Sequence, residues 1–183
     1  MTVIDEIFSL YAARGSAAYF GEAVSMTEHG LQAAHFAELA GAGETVVVAA
    51  LLHDVGHLIA KVPDNIAEWT VDARHEATGA RWLRERFGPE VAEPVRLHVG
   101  AKRYLCATDP AYFSQLSPAS VLTLKLQGGP MSAGEVAGFE AEPGYREALV
   151  VRRCDDRGKV AGLATKRLED YRDLLGSLVM LGR

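Results

Sequence analysis

Cysteine is scarce in this chain: the 183 residues contain two, Cys106 and Cys154. They stand far apart, neither belongs to a CxxC pair, and a reducing cytoplasm is the expected compartment. Long apolar runs are missing as well, since no uncharged stretch approaches the ~20 residues that span a bilayer. Met1-Thr2-Val3-Ile4-Asp5-Glu6 carries acids where a secretory leader needs Lys or Arg, so a soluble protein is expected. Cations do not predominate either. The net charge of -5 weighs against a nucleic-acid footprint while leaving room for a local basic pocket. Repeats, low-complexity tracts and period-2 strand patterns are also absent from the sequence, and residues 1–183 are expected to form one domain with its own core.

What is present is helical spacing with helix punctuation. Ile4, Ile7, Phe8 and Tyr11 fall on one face before Gly15, and Ser25-x-x-Glu28 is a capping box that opens a helix through Ala40. A helix is expected from about Thr45 to Ala60. After a loop with Pro63, Asp72 can cap another that carries His75 in its first turn and ends at Phe87. Pro89 opens one to about Gly100, and Ser117-Pro118 one through Leu126, which Gly128-Gly129-Pro130 stops. Ser132-x-x-Glu135 is a second capping box, and Tyr145 to Asp156 and Leu168 to Leu181 complete the set. The expected fold is all-α, a bundle of at least seven helices.

Within the third of these helices, Val46 to Leu52 is apolar without interruption and is followed at once by His53-Asp54. A charged doublet drawn into the interior must be paired or bound to a metal. His29, His75 and His98 lie on other predicted helices, as does a late carboxylate, Asp155, and bundle interiors collect side chains from facing helices. Four imidazoles and two carboxylates exceed what one structural ion needs. Nitrogen and oxygen donors without thiolate suit iron, manganese or zinc. Adjacent helical residues point about 100° apart, so His53 and Asp54 either meet one ion at the helix edge or Asp54 bridges two. Lone histidines are more often structural, which is the expectation for His35 and for His57, the latter with a supporting role behind the ligands. Lys102 follows His98 by four and Arg152 precedes Asp155 by three, so each sets a cation on a ligand-bearing helix face.

The order His29, His53-Asp54, Asp155 is the H…HD…D signature of the HD-domain superfamily, helical metal-dependent enzymes. More specific are Tyr19-x-Gly21-Glu22-x-Val24-Ser25-x-x-Glu28-His29, Arg74-His75-Glu76, His98-x-x-Ala101-Lys102-Arg103-Tyr104, Leu116-Ser117-x-Ala119-Ser120, Leu126-Gln127-Gly128-Gly129-Pro130 and Arg152-Arg153-x-Asp155. Over roughly residues 11 to 175 the chain resembles the mixed-valent diiron oxygenases of that superfamily that cleave organophosphonates. The resemblance implies two iron ions, Fe(II) and Fe(III), held by His29, His53, Asp54, His75, His98 and Asp155, with Asp54 bridging and O2 as co-substrate. It implies that Tyr19 occupies an iron position in the resting enzyme, with Glu22 as its partner, in a latch that substrate displaces. It further implies that Lys102, Ser120, Gln127 and Arg152 grip the phosphonate. The expected reaction is cleavage of the carbon–phosphorus bond of a 1-hydroxy-2-aminoethylphosphonate, giving phosphate and glycine, or glycine betaine from the N-trimethylated substrate. Tyr19, Phe20, Glu22, Trp69 and Tyr104 are available to cage the amine. Cys154 departs from the resemblance, which leads one to expect a bulkier residue there. Two other readings stand beside this one: a hydrolytic HD phosphohydrolase acting on a small phosphate ester, and a non-catalytic metal- or ligand-binding module.

Overall fold

Uninterrupted apolar sequence makes α3 (Glu44–Leu52) the axis of the molecule, because a helix that is hydrophobic all round has no solvent face to offer. Val46 to Leu52 are all buried, and each fully buried aliphatic side chain contributes about 2 kcal/mol. Packed around it are α2 (Met26–Leu39), α6 (Pro89–Thr108) and α9 (Tyr145–Arg157). The computed structural model describes residues 1–60 and 75–180. Pro63, Trp69, Asp72, Arg74 and Leu181, each used in the sequence reading, lie outside them.

The described residues form ten α-helices, with α1 (Val3–Arg14), α4 (Val55–Ala60), α5 (His75–Phe87), α7 (Pro118–Leu126), α8 (Ala133–Glu140) and α10 (Arg172–Leu178) completing the order. No strand ladder occurs among them, only an isolated bridge between Ala18 and Ser25. No described helix is long and apolar enough to cross a membrane. Both capping boxes form as the sequence indicates, with Ser25 and Glu28 opening α2 and Ser132 and Glu135 opening α8.

Three boundaries differ from expectation. The single helix from Thr45 to Ala60 is two, α3 and α4, broken at His53-Asp54. The break turns both side chains inward, which a continuous helix would set about 100° apart. The helix opened by Pro89 runs past Gly100 to Thr108, since Gly100 is a packing position: a Cβ there would stand 3.0 Å from the Phe139 ring. The last segment is a 3-10 turn, Leu168–Tyr171, followed by α10.

Two close crossings hold the broken helix in place. A Cβ on Gly30 would lie 2.7 Å from the Leu51 carbonyl oxygen, so α2 meets α3 backbone to backbone beside His29. The Tyr11 hydroxyl donates to that same carbonyl at 2.9 Å. A Cβ on Gly56 would lie 2.0 Å from the His75 carbonyl oxygen, and this contact seats the start of α5 on α4.

Candidate metal centre

The two crossings deliver His29, His53, Asp54 and His75 to one interior point, where α6 and α9 add His98 and Asp155. All six side chains are buried. Asp54 lies between two imidazole pairs. Its Oδ2 is 3.6 Å from His29 Nε2 and 3.4 Å from His53 Nε2, while its Oδ1 is 3.3 Å from His75 Nε2 and 3.7 Å from His98 Nε2. Asp155 Oδ1 approaches the first pair, 3.4 Å from His29 Nε2. Among the described residues two groups could hold a metal, His29 with His53 and Asp54, and Asp54 with His75 and His98.

Hydrogen bonding fixes which ring nitrogens face inward. His29 Nδ1 lies 2.9 Å from the Gly158 carbonyl, His53 Nδ1 2.8 Å from that of Ala50, and His98 Nδ1 2.7 Å from that of Val95. A carbonyl only accepts, so each Nδ1 carries a proton and each ring turns its Nε2 to the interior. Yet His29 and His53 bring those nitrogens to 3.1 Å, and His75 and His98 bring theirs to 3.4 Å. Asp54 Oδ2 and Asp155 Oδ1 are buried without a hydrogen-bond partner among the described residues. Ring nitrogens and carboxylate oxygens converging in this way call for positive charge among them, and the residues present fit a metal cation on each side of Asp54.

The electrostatics agree. Burial alone would raise the Asp54 carboxyl, but the His53 charge beside it holds it well below the ordinary carboxylate range. His53 is lowered by burial and raised more by Asp54, to about 9. His98, lowered by burial and then by repulsion from His53 and His75, falls to about 3 and stays neutral.

Beside the centre lies a narrow cavity of about 50 Å³ that Tyr19, Glu22, Lys102, Ser120, Gln127 and Arg152 all help to line. About 10–15 Å³ on this measure holds one water, so the space suits a small polar ligand. Lys102 donates to Thr123 Oγ1 at 2.8 Å from inside the fold, and burial, then the Arg152 charge, lowers its ammonium to about 7. Gln127 Oε1 is buried with no hydrogen-bond partner among the described residues. Lys159, which the sequence reading passed over, is a further cation here, donating to Ser120 Oγ at 3.0 Å. Its spacing, four after Asp155, is the signal that marked Lys102.

Several of the expected site residues make further contacts. Tyr19 lies flat on His29, ring centroids 3.7 Å apart, and its phenol is raised well above 10 by burial, then by Asp54 and Asp155. Glu22 Oε1 accepts from the Ser117 hydroxyl at 2.6 Å and lies 3.9 Å from Lys159 Nζ, so these are its partners in this structure. Both residues sit on a tight turn in which Glu22 N–H donates to the Tyr19 carbonyl at 2.8 Å. Its central residues Phe20 and Gly21 have φ of 43° and 81°, the twist of a two-residue hairpin, unusual for a phenylalanine. Arg152 lines the cavity, but its donors are engaged by Asp155, Asp156 and Tyr112. His57 lines it too, stacked on His75 with ring centroids 3.8 Å apart. Tyr104 does not: its hydroxyl donates to surface Glu140, which removes it from an amine cage. Cys154 is buried, and that burial raises its thiol to about 11.

The HD domain model matches residues 26–157, which include all six inward-facing ligand candidates, four on helices and the doublet between α3 and α4. The chain is 45% identical over 163 residues to the glycine-betaine-forming 1-hydroxy-2-(trimethylamino)ethylphosphonate dioxygenase of Leisingera caerulea, covering 89% of this chain and 83% of that protein. It is 41% identical over 169 residues to the hydroxymethylphosphonate dioxygenase of Gimesia maris, covering 92% and 84%. An uncharacterized protein of Acanthamoeba polyphaga mimivirus is 36% identical over 174 residues, covering 94% and 80%. The chain belongs to the HD-domain family, in the group that contains these phosphonate dioxygenases.

Proposed function

We propose that this protein is an iron- and O2-dependent oxygenase that cleaves the carbon–phosphorus bond of a 1-hydroxy-2-aminoethylphosphonate. Phosphate leaves with glycine from the free amine, or with glycine betaine from the N-trimethylated form. The observation that carries the reading is Asp54, one carboxylate set between two imidazole pairs next to a cavity bearing Lys102 and Lys159. The relatives' names support the substrate class, since both name a phosphonate with a hydroxyl on the carbon next to phosphorus.

In this reading His29, His53, Asp54 and Asp155 hold one iron, and Asp54, His75 and His98 hold the other. When bound, the iron pair supplies the one-electron chemistry with dioxygen that no side chain provides. The chain's own groups do the rest. Lys102 and Lys159 reach Thr123 and Ser120, one turn apart on α7, and together they form a cationic cradle for the phosphonate. Gln127 adds an amide with an open hydrogen-bonding position. Arg152 holds Asp155 and contributes charge at the cavity wall. Tyr19 covers His29 and keeps water from the ligands until substrate enters. Glu22, with the Tyr19 and Phe20 rings, is the anionic and aromatic edge that receives the cationic amine.

Incubating the iron-loaded protein with the 2-amino, the 2-trimethylammonio and the unsubstituted 1-hydroxyphosphonates, with and without oxygen, tests the reading. Phosphate is expected only in the presence of oxygen, in step with oxygen consumed, and with glycine or betaine as the second product. Phosphate released without oxygen would instead assign the hydrolytic reading.

Lys102 gives a second expectation. Above pH 7 its amine is largely neutral in the free protein, and a phosphonate dianion beside it favours the ammonium. Anaerobic binding at pH 8 therefore takes up a proton, and affinity weakens as pH rises further. Calorimetry in buffers of different ionisation enthalpy reads this directly. Uptake at pH 8 that persists in Lys102→Met would contradict the assignment.

A further inference from the structure

Asp155 and Asp156 are neighbours on α9, and both hold the same guanidinium. Arg152, one turn earlier, donates from Nη1 to Asp155 Oδ2 at 2.6 Å and from Nη2 to Asp156 Oδ1. Its Nε lies 3.2 Å from Asp156 Oδ2 and 2.9 Å from the Tyr112 hydroxyl. That hydroxyl donates in turn to Asp156 Oδ2 at 2.5 Å. Arg152, Asp155 and Tyr112 are buried, and a buried guanidinium is stable only with its donors satisfied. Neither Tyr112 nor Asp156 lines the cavity; they take the side of the guanidinium that the cavity does not.

The consequence falls on Asp155. With Oδ2 engaged by Arg152, its other oxygen, Oδ1, has no hydrogen bond among the described residues and faces His29 and His53, at 3.4 and 4.0 Å from their Nε2 atoms. We propose that Tyr112 and Asp156 form a buttress that, through Arg152, fixes which oxygen of Asp155 faces the metal centre. They are positioning residues, and the inference rests on the reading of Asp155 as a ligand. Released from the buttress, the guanidinium can swing toward the cavity, and the Asp155 carboxylate can rotate between its two oxygens. Partners of this kind behind a ligand typically change metal affinity about 10–100-fold when removed. The buttress also ties the loop between α6 and α7, which carries Tyr112, to the ligand-bearing face of α9.

The test uses the iron-loaded full chain and the variants Asp156→Asn, Tyr112→Phe and Asp155→Ala. Iron retained against a chelator is followed with time, together with the electron paramagnetic resonance spectrum of the centre and KM for the phosphonate at saturating iron. Asp156→Asn should lose iron about tenfold faster than the unmodified protein, with an altered spectrum and KM within about twofold. Tyr112→Phe should fall between the two. Unchanged iron retention and spectrum in both variants would overturn the buttress, as would a raised KM with unchanged retention, which would place Asp156 on the substrate side. If Asp156→Asn does not fold, Tyr112→Phe, which loses a single hydroxyl, decides. Full iron retention in Asp155→Ala would instead overturn the ligand reading, a different result from failure of the buttress.

Discussion

Asp54→Ala should abolish oxygen-dependent phosphate release, by at least about a thousandfold, and leave less than half the metal of the unmodified protein. Of the six inward-facing side chains, Asp54 alone has an oxygen directed at each imidazole pair, 3.4 Å from His53 and 3.3 Å from His75. Any other ligand replacement weakens one side, whereas this one weakens both. It also leaves clustered imidazoles without the carboxylate that offsets positive charge between them, since His53 owes its raised basicity to Asp54. Asp54→Asn retains the shape and loses the charge, and should fail almost as completely because a neutral amide is a poor bridge between cations. Metal analysis beside an oxygen-uptake assay checks the pair. Full metal content and activity within tenfold in Asp54→Ala would be incompatible with a bridging carboxylate.

Gly56→Ala should damage stability and site together. The new methyl would lie 2.0 Å from the His75 carbonyl oxygen, 2.8 Å from its carbon and 3.0 Å from the Gly79 nitrogen. These are backbone atoms with no rotamer to escape into, so α4 and α5 must separate. Overpacking of this kind costs roughly 3 kcal/mol. For a chain of this size that lowers Tm by about 6–12 °C. The larger loss is functional. His75 begins α5 and carries its ring to Asp54, and a displacement of about 1 Å in a catalytic site can cost a hundredfold in rate. Thermal melts with activity measured well below Tm separate the two effects. An unmodified melting point and turnover would mean that the helix crossing does not position His75.

Part of the candidate site is legible in the sequence. His29 follows a capping box, and His53-Asp54 ends an apolar run that has to be buried, so the chemistry of burial identified the doublet. The break between α3 and α4 left no such trace. No proline or glycine interrupts Val46 to Val55, and the chain departs from the helix because of what His53 and Asp54 face across the interior. Gly100 misled in the opposite way: as a stop signal it resembles a cap, but Phe139, distant in sequence, makes it a packing surface. Lys159 carried the same i+4 signal as Lys102 and lay two residues beyond a helix end, where helical spacing is not ordinarily applied. Asp156 is paired with Tyr112 across 44 residues of chain, a distance over which local patterns say nothing.

The account stands on two metal ions flanking one carboxylate. Anomalous diffraction at the iron edge, from crystals of the anaerobically iron-loaded protein, measures this most directly. The expected map has two peaks about 3.5–4 Å apart, one among His29, His53 and Asp155, the other between His75 and His98, with Asp54 joining them. A single peak, or peaks remote from Asp54, would contradict it.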